Sequence, residues 1–209
     1  MRTVPDSALT ITYRFGDSLY VNITNRCPCA CEFCVRTLDT GVGDGENLWL
    51  EREPTVDEIL ADLDAHDLSE YREVVFCGFG EPTCRLDELL TVCRHLKQNP
   101  NQRVRLNTNG LSDLIHGRDT AADFVGLVDT ISVSLNASDA EKYNALCHPQ
   151  YGLDAFPALL AFTKKMVRLV PCVVMSVVDN LPPDELTKCR TICEDCGATL
   201  RVRTLIESE

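Results

Sequence analysis

The chain switches between two kinds of segment six times over, and that alternation constrains its fold more than any other feature. Apolar, β-rich runs stand at SLYVNIT (18–24), EVVFCG (73–78), RVRLNT (103–108), TISVSLN (130–136), CVVMSVV (172–178) and LRVRTLI (200–206). Helical patterns lie between them, over 55–66, 86–97, 119–127, 139–146 with 154–169, and 184–196. Strand, helix, strand, repeated in this way, means a parallel sheet built from right-handed crossovers. Capping boxes at Thr55 with Glu58 and at Ser138 with Glu141 open two of the helices, and Pro182-Pro183 suits the start of another. The stretch from Thr10 to Ile23, turning at Gly16-Asp17, predicts an antiparallel hairpin at the N-terminus.

A doubly wound open sheet and a partial barrel both satisfy this pattern, and the faces of the strands choose between them. Successive side chains alternate between faces. The third strand therefore sets Arg103, Arg105 and Asn107 opposite Val104 and Leu106. The fourth sets Ser132, Ser134 and Asn136 opposite Ile131, Val133 and Leu135, and the first sets Tyr20, Asn22 and Thr24 opposite Leu19, Val21 and Ile23. Strands covered by helices on both sides would be apolar throughout. Polar faces on several strands predict a curved sheet whose concave side holds ligand: an α/β fold, a partial (β/α)6 TIM-like barrel of mainly parallel strands.

Composition narrows the function. A length of 209 residues suits one large domain, and the absence of an apolar N-terminal run or a bilayer-length segment predicts a cytoplasmic protein with no membrane partner. In that compartment the twelve cysteines read as thiols and metal ligands rather than disulfides. A net charge of −12 disfavours binding of nucleic acid through bulk charge. The connection RTLDTGVGDGENLWLEREP (36–54) is long and Gly-rich. Its GVGDGE lacks the spacing of a calcium or phosphate loop, and it predicts a mobile loop beside a site.

The chemistry concentrates in CPCACEFC (27–34), directly after the first strand. Cys27, Cys31 and Cys34 have the spacing C-x3-C-x2-C. Structural zinc needs four protein ligands in a closed site, and ferredoxin-type clusters also use four cysteines. Three thiolates on a [4Fe–4S] cube would leave one iron open to a small molecule. The alternative is a zinc-stabilised binding or regulatory protein that uses Cys27, Cys29, Cys31 and Cys34 together.

Cys27-Pro-Cys-Ala-Cys31-Glu-Phe33-Cys34 resembles the cluster motif of the radical SAM superfamily, C-x3-C-x-aromatic-C. Gly78-Phe79-Gly80-Glu81-Pro82 resembles the family's GGEP segment, with Phe79 in place of its first glycine, and Asn107-Thr-Asn109-Gly110 resembles its TNG segment. More narrowly, VNITNRCPCACEFCVR is similar to small radical SAM proteins associated with TatD-type nucleases. The resemblance implies one radical SAM core domain over 1–209, with 1–17 as an N-terminal extension and 18–209 as the β/α core. It implies that Cys27, Cys31 and Cys34 hold a [4Fe–4S] cluster, that S-adenosylmethionine (SAM) occupies the open iron, and that Cys29 is a bystander. Phe33 would pack near the adenine, and Gly78, Phe79, Gly80 and Glu81 would serve the methionine amino group. Asn107 and Asn109 lie on the TNG segment, while Ser134 and Asn136 stand where polar groups meet the ribose or the carboxylate. The implied activity is reductive cleavage of SAM to a 5′-deoxyadenosyl radical that abstracts hydrogen from a peptide, protein or small nucleotide-like substrate. A flavodoxin- or ferredoxin-like protein would deliver the electron, and the cluster would be oxygen-sensitive.

The remaining candidates divide into ligand groups and core. Arg105 and Arg203, if concave, each need an anion: an interior carboxylate, the methionine carboxylate or a substrate. Cys189, Cys193 and Cys196 repeat the C-x3-C-x2-C spacing but fall on a helix whose rise separates the outer two by roughly 10 Å, so they read as its buried stripe. Cys93 and Cys172 read as core, Cys77 and Cys84 as neighbours of the Gly-Glu-Pro segment, and Cys147-His148-Pro149 as a structural connection.

Overall fold

In the computed structural model, which describes residues 9–37 and 47–204, the predicted alternation becomes one sheet of seven strands lying in chain order. The strands are β1 (Thr12–Phe15), β2 (Ser18–Val21), β3 (Val74–Phe76), β4 (Val104–Thr108), β5 (Thr130–Ser134), β6 (Cys172–Val178) and β7 (Thr199–Arg203). Between them run α1 (Val56–Asp64), α2 (Leu86–Leu96), α3 (Ser112–His116), α4 (Ala140–Cys147), α5 (Ala155–Met166) and α6 (Pro183–Cys196). β1 and β2 form the antiparallel hairpin, with Gly16 at φ +62° in its turn, and every later pair is parallel. Right-handed crossovers between strands in chain order put every helix on the same face. The sheet therefore curls around its other face, and among the described residues β1 and β7 are its edges and the barrel does not close.

The register carries this division through the sheet. Leu19, Val74, Val104, Leu106, Ile131, Val133 and Met175 face the helices and are fully buried among Ile59, Leu63, Leu89, Leu159 and Phe162. Each such side chain contributes about 1.5–3 kcal/mol through burial. The opposite face carries Tyr20, Cys77, Arg105, Asn107, Ser132, Ser134, Ser176 and Arg203, the polar row expected of a ligand-holding concavity. Its lower end is filled by Arg105, which donates to the Tyr20 hydroxyl at 3.0 Å and pairs with Glu73 at 3.6 Å. The interior carboxylate considered for Arg105 is thus Glu73.

Local chemistry explains most helix limits. Thr55 caps α1 with the reciprocal Glu58 bond of a capping box, and Pro183 opens α6 while Gly197, at φ +77°, ends it. Three expectations need correction. The helix predicted over 119–127 is a 3-10 turn, Ala121–Phe124, preceded by the five-residue α3, because left-handed Gly117 and Gly126 interrupt the backbone on either side. α4 is capped by Asp139, which accepts from Lys142 N–H, since the Ser138 hydroxyl is engaged by Glu185 across the molecule. Cys172, read as core, is exposed at the start of β6. Residues 205–206 of the last predicted strand and GVGDGE (41–46) lie outside the described residues. The returning part of that connection is pinned: Leu48 and Leu50 are buried, and their carbonyls accept from Asn22 and Asn25, each at 2.7 Å. Among the described residues no helix is long and apolar enough to cross a membrane.

Candidate functional site

Residues 22–34 leave the C-terminal end of β2 without regular secondary structure, so their backbone polar groups must find partners elsewhere. The segment after β3 supplies one set. Glu81 N–H donates to Arg26 carbonyl at 2.8 Å, and the two chains lie so close that only glycine fits. A Cβ on Gly78 would sit 2.1 Å from Asn22 Oδ1, and one on Gly80 would sit 2.2 Å from the Thr24 carbonyl. The returning connection holds the loop's side chains: Glu53 accepts from the Thr24 hydroxyl at 2.6 Å and pairs with Arg26 at 2.6 Å. Buried Arg85 donates to the carbonyls of Ile23 at 2.9 Å and Pro54 at 2.7 Å, tying the start of the cysteine loop to the end of that connection. The sequence reading missed Arg85, and its only signal was an arginine three residues beyond the Gly-Glu-Pro segment.

Glu81 is turned inward. Its carboxylate accepts from Thr83 N–H at 3.1 Å, the Thr83 hydroxyl at 2.8 Å, the Thr108 hydroxyl at 2.7 Å and Asn109 N–H at 2.7 Å. Burial pushes its pKa up and these four donors oppose that shift. The group therefore joins the ends of β3 and β4. Asn109, held by that bond, extends its amide toward Cys27 Sγ at 4.0 Å and Cys29 Sγ at 3.8 Å. Phe79, which departs from the family pattern, packs with Tyr13 and Leu48 and meets the Trp49 ring edge-on at 5.2 Å. Phe33 is half-buried against the main core.

The sulfurs form a hydrogen-bonded set with two kinds of member. Cys31 is lowered to about 4 by hydrogen bonds from Cys147 and Cys29, and Cys27 is lowered by a bond from Cys29. Cys29 and Cys147, as donors to those sulfurs, are pushed up, and burial raises Cys34. The thiolate is the form that binds metal, and Cys29 donates to the sulfurs of both Cys27 and Cys31. Among the described residues no three His, Cys, Asp or Glu side chains are placed to close around a single metal ion. The motif thiols line one loop rather than a compact cage.

Beyond the loop, the concave face presents buried polar atoms with no partner: Asn107 Oδ1, Asn136 Oδ1 and Arg203 Nε. Asn107 donates to the Cys77 thiol, and Asn136 donates to Cys147 Sγ at 3.5 Å. Ser134 stands at the end of β5 beside Ser176. Arg203 lies at the end of β7 opposite Val178, where burial lowers its pKa and no carboxylate pairs with it among the described residues. The structure thus gathers Cys27, Cys29, Cys31, Gly80, Glu81 and Asn109 at one place. Ser134 and Asn136 lie beside it, and Arg203 stands two strands further on. A ligand with both donor and anionic groups would satisfy the orphaned atoms, which fits an amino-acid-bearing cofactor.

The comparisons agree with this layout. The model of the Radical SAM superfamily matches residues 21–188. GTP 3′,8-cyclase of Rhodococcus opacus is 30% identical over 195 residues, which cover 90% of this chain and 51% of that protein. A probable dual-specificity RNA methyltransferase RlmN of Nostoc punctiforme is 29% identical over 174 residues, 78% of this chain and 45% of that protein. The chain thus spans about half the length of these curated relatives. Among solved structures, Streptococcus suis SuiB bound to its precursor peptide SuiA superposes with a TM-score of 0.65 at 16% identity, covering 92% of this chain and 40% of SuiB. Methylornithine synthase (PylB) gives 0.60 at 12%, covering 92% and 54%. At those identities the structures speak to the fold, a partial barrel. The family match, which spans most of the chain and includes the cysteine loop and the ends of β3, β4 and β5, places the protein in the Radical SAM superfamily.

Proposed function

We propose that this protein is a radical SAM enzyme that uses Cys27, Cys31 and Cys34 to hold a [4Fe–4S] cluster and the concave face of the sheet to hold SAM and substrate. Members of the family use these two cofactors. Once bound and reduced by a flavodoxin- or ferredoxin-like protein, they supply a 5′-deoxyadenosyl radical able to take a hydrogen atom from a substrate C–H bond. The protein's part is position and exclusion of water. The observation that carries the reading is the convergence of the cysteine loop, the Gly78–Glu81 segment and Asn109 at one end of β2, β3 and β4.

The chain's own groups then have distinct tasks. Carbonyls of the Gly78–Gly80 segment accept from the methionine ammonium group, and Arg203 or Asn136 meets its carboxylate or the ribose together with Ser134. Asn107 orients the same ligand from below, and Phe33 packs on the adenine. Glu81 acts through Asn109 and Thr108, as a positioning residue. Phe79 with Trp49 keeps water from one flank of the concavity. The substrate is a peptide, a protein loop or a nucleotide-like molecule. A curated relative is named for GTP, and a fold neighbour is seen with a peptide.

Anaerobic reconstitution should give brown protein with about four irons and four sulfides per chain, and the reduced protein should cleave SAM to 5′-deoxyadenosine. Cys29→Ser should retain the cluster. A colourless protein carrying one zinc per chain, lost in Cys29→Ser, would replace this reading with the zinc-stabilised alternative. That alternative draws support from the contacts of Cys29 with both Cys27 and Cys31.

A further inference from the structure

The triplet Cys147-His148-Pro149 has no task in the proposed chemistry, yet it lies against the cysteine loop. α4 ends at Cys147, and His148 then adopts the left-handed region at φ +43°. This turn sends the chain alongside residues 28–32. Ala30 N–H donates to Cys147 carbonyl at 3.0 Å, Glu32 N–H to Leu146 carbonyl at 3.1 Å, and Gln150 N–H to Pro28 carbonyl at 2.8 Å. The three bonds bracket Cys29 and Cys31. A fourth link joins the side chains, with His148 Nε2 lying 3.3 Å from Glu32 Oε1. Asn136 reaches the fully buried Cys147 thiol from the end of β5.

The backbone conformation marks the same joint. Asn136 and His148 are the two non-glycine residues with positive φ among the described residues, and both border this contact. Such conformations cost on the order of 1–3 kcal/mol and persist where the surroundings demand them. A loop without regular structure would otherwise hold its ligands in many arrangements. Backbone partners supplied by a neighbouring helix remove that freedom before any cofactor arrives.

We infer that the C-terminal turn of α4, Leu146–Gln150, is the mould that pre-forms the cysteine loop, with His148 as the residue that turns the chain into it and Cys147 as a hydrogen-bonding neighbour of the Cys31 sulfur. The inference rests on the reading that Cys27, Cys31 and Cys34 hold a cluster. Groups that hydrogen-bond metal ligands commonly govern metal retention by roughly 10–100-fold. Here those groups are mostly main chain, so their dependence on side-chain identity runs through the φ of residue 148.

Amide exchange of the cluster-free protein and iron release from the reconstituted protein to a chelator test the idea together. His148→Val, whose branched Cβ opposes positive φ, should speed exchange at Ala30 and Glu32 and raise the iron-release rate roughly tenfold. His148→Gly and His148→Asn, which tolerate that region, should restore both. Cys147→Val should shift the cluster midpoint potential, read by EPR titration, to more negative values, and Cys147→Ser should return it toward wild type, because donors to cluster sulfurs stabilise the reduced form. Should His148→Val fail to fold, His148→Ala against His148→Gly gives the same contrast. Wild-type exchange and iron release in His148→Val would overturn the inference, as would equal losses in His148→Val and His148→Gly. Wild-type protein that takes up no four-iron cluster would instead refute the underlying reading, and the exchange result on cluster-free protein would still decide the mould.

Discussion

Two segments of this chain share the spacing C-x3-C-x2-C, and the backbone beneath them makes them different things. Cys27, Cys31 and Cys34 sit on a stretch with no helix of its own, pinned by partners from the ends of β3 and α4. Cys189, Cys193 and Cys196 sit on α6, all buried in the core beside partly buried Leu186 and Ile192. Along a helix the rise per residue keeps side chains in a line, whereas a loop can fold three sulfurs toward one centre. Their chemistry differs accordingly. Hydrogen bonds lower Cys27 and Cys31 while burial raises Cys34, whereas on α6 burial pushes Cys189 up to about 11 and Cys193 up to about 12. Spacing nominates a ligand set, and the backbone beneath it decides whether three sulfurs can approach one centre.

The contrast can be broken most directly at the thiols themselves. Replacing Cys27, Cys31 or Cys34 with Ser should reduce iron from about four per chain to near none, while Ala at Cys189, Cys193 or Cys196 should leave it unchanged by iron assay. A folded α6 variant that loses its iron would erase the distinction. The next effect lies at the support of the loop. Glu81→Ala strands two N–H donors and two hydroxyls, so chemical denaturation should register a loss of about 3 kcal/mol or more, and Asn109 should lose its hold beside Cys27. Cys193→Ser should cost about 1–3 kcal/mol by placing a hydroxyl among apolar side chains, with no change in cluster spectra.

The smallest effect concerns how α6 is anchored. Glu185 is held at about 2 by Lys188, Ser138 and Lys142. Its folded pKa is below its ordinary value, so its contribution is complete above about pH 4.3 and is lost as pH falls toward 2. Glu185→Gln should therefore lower Tm by about 2 °C or less near pH 7, and the difference from wild type should shrink below pH 4.

Much of this was legible in the residues, for physical reasons that can be named. Strand order followed from alternation, because period-2 and period-3.6 patterns are local and crossovers have one hand. The polar faces of β4 and β5 announced the concavity for the same reason. Less legible was anything set by a partner far away in the chain. Ser138 read as a cap and instead bonds Glu185, leaving Asp139 to cap α4. Glu81 read only as part of the Gly-Glu-Pro segment, and nothing local showed that its carboxylate oxygens are occupied by Thr83, Thr108 and Asn109. Cys147 and His148 read as a structural connection, but that it lies against the cysteine loop was not legible, His148 being 116 positions from its partner Glu32.

What the sequence determined alone was the architecture and the loop that carries the candidate ligands, since periodicity, caps and cysteine spacing are written within a few residues of where they act. What only the tertiary structure decided was how the cysteine loop is held. Its backbone has no ladder of its own, so its N–H and C=O groups take partners from whichever elements the packed helices bring beside it. Those are Arg85 and the Glu81 N–H at one end and the last turn of α4 at the other.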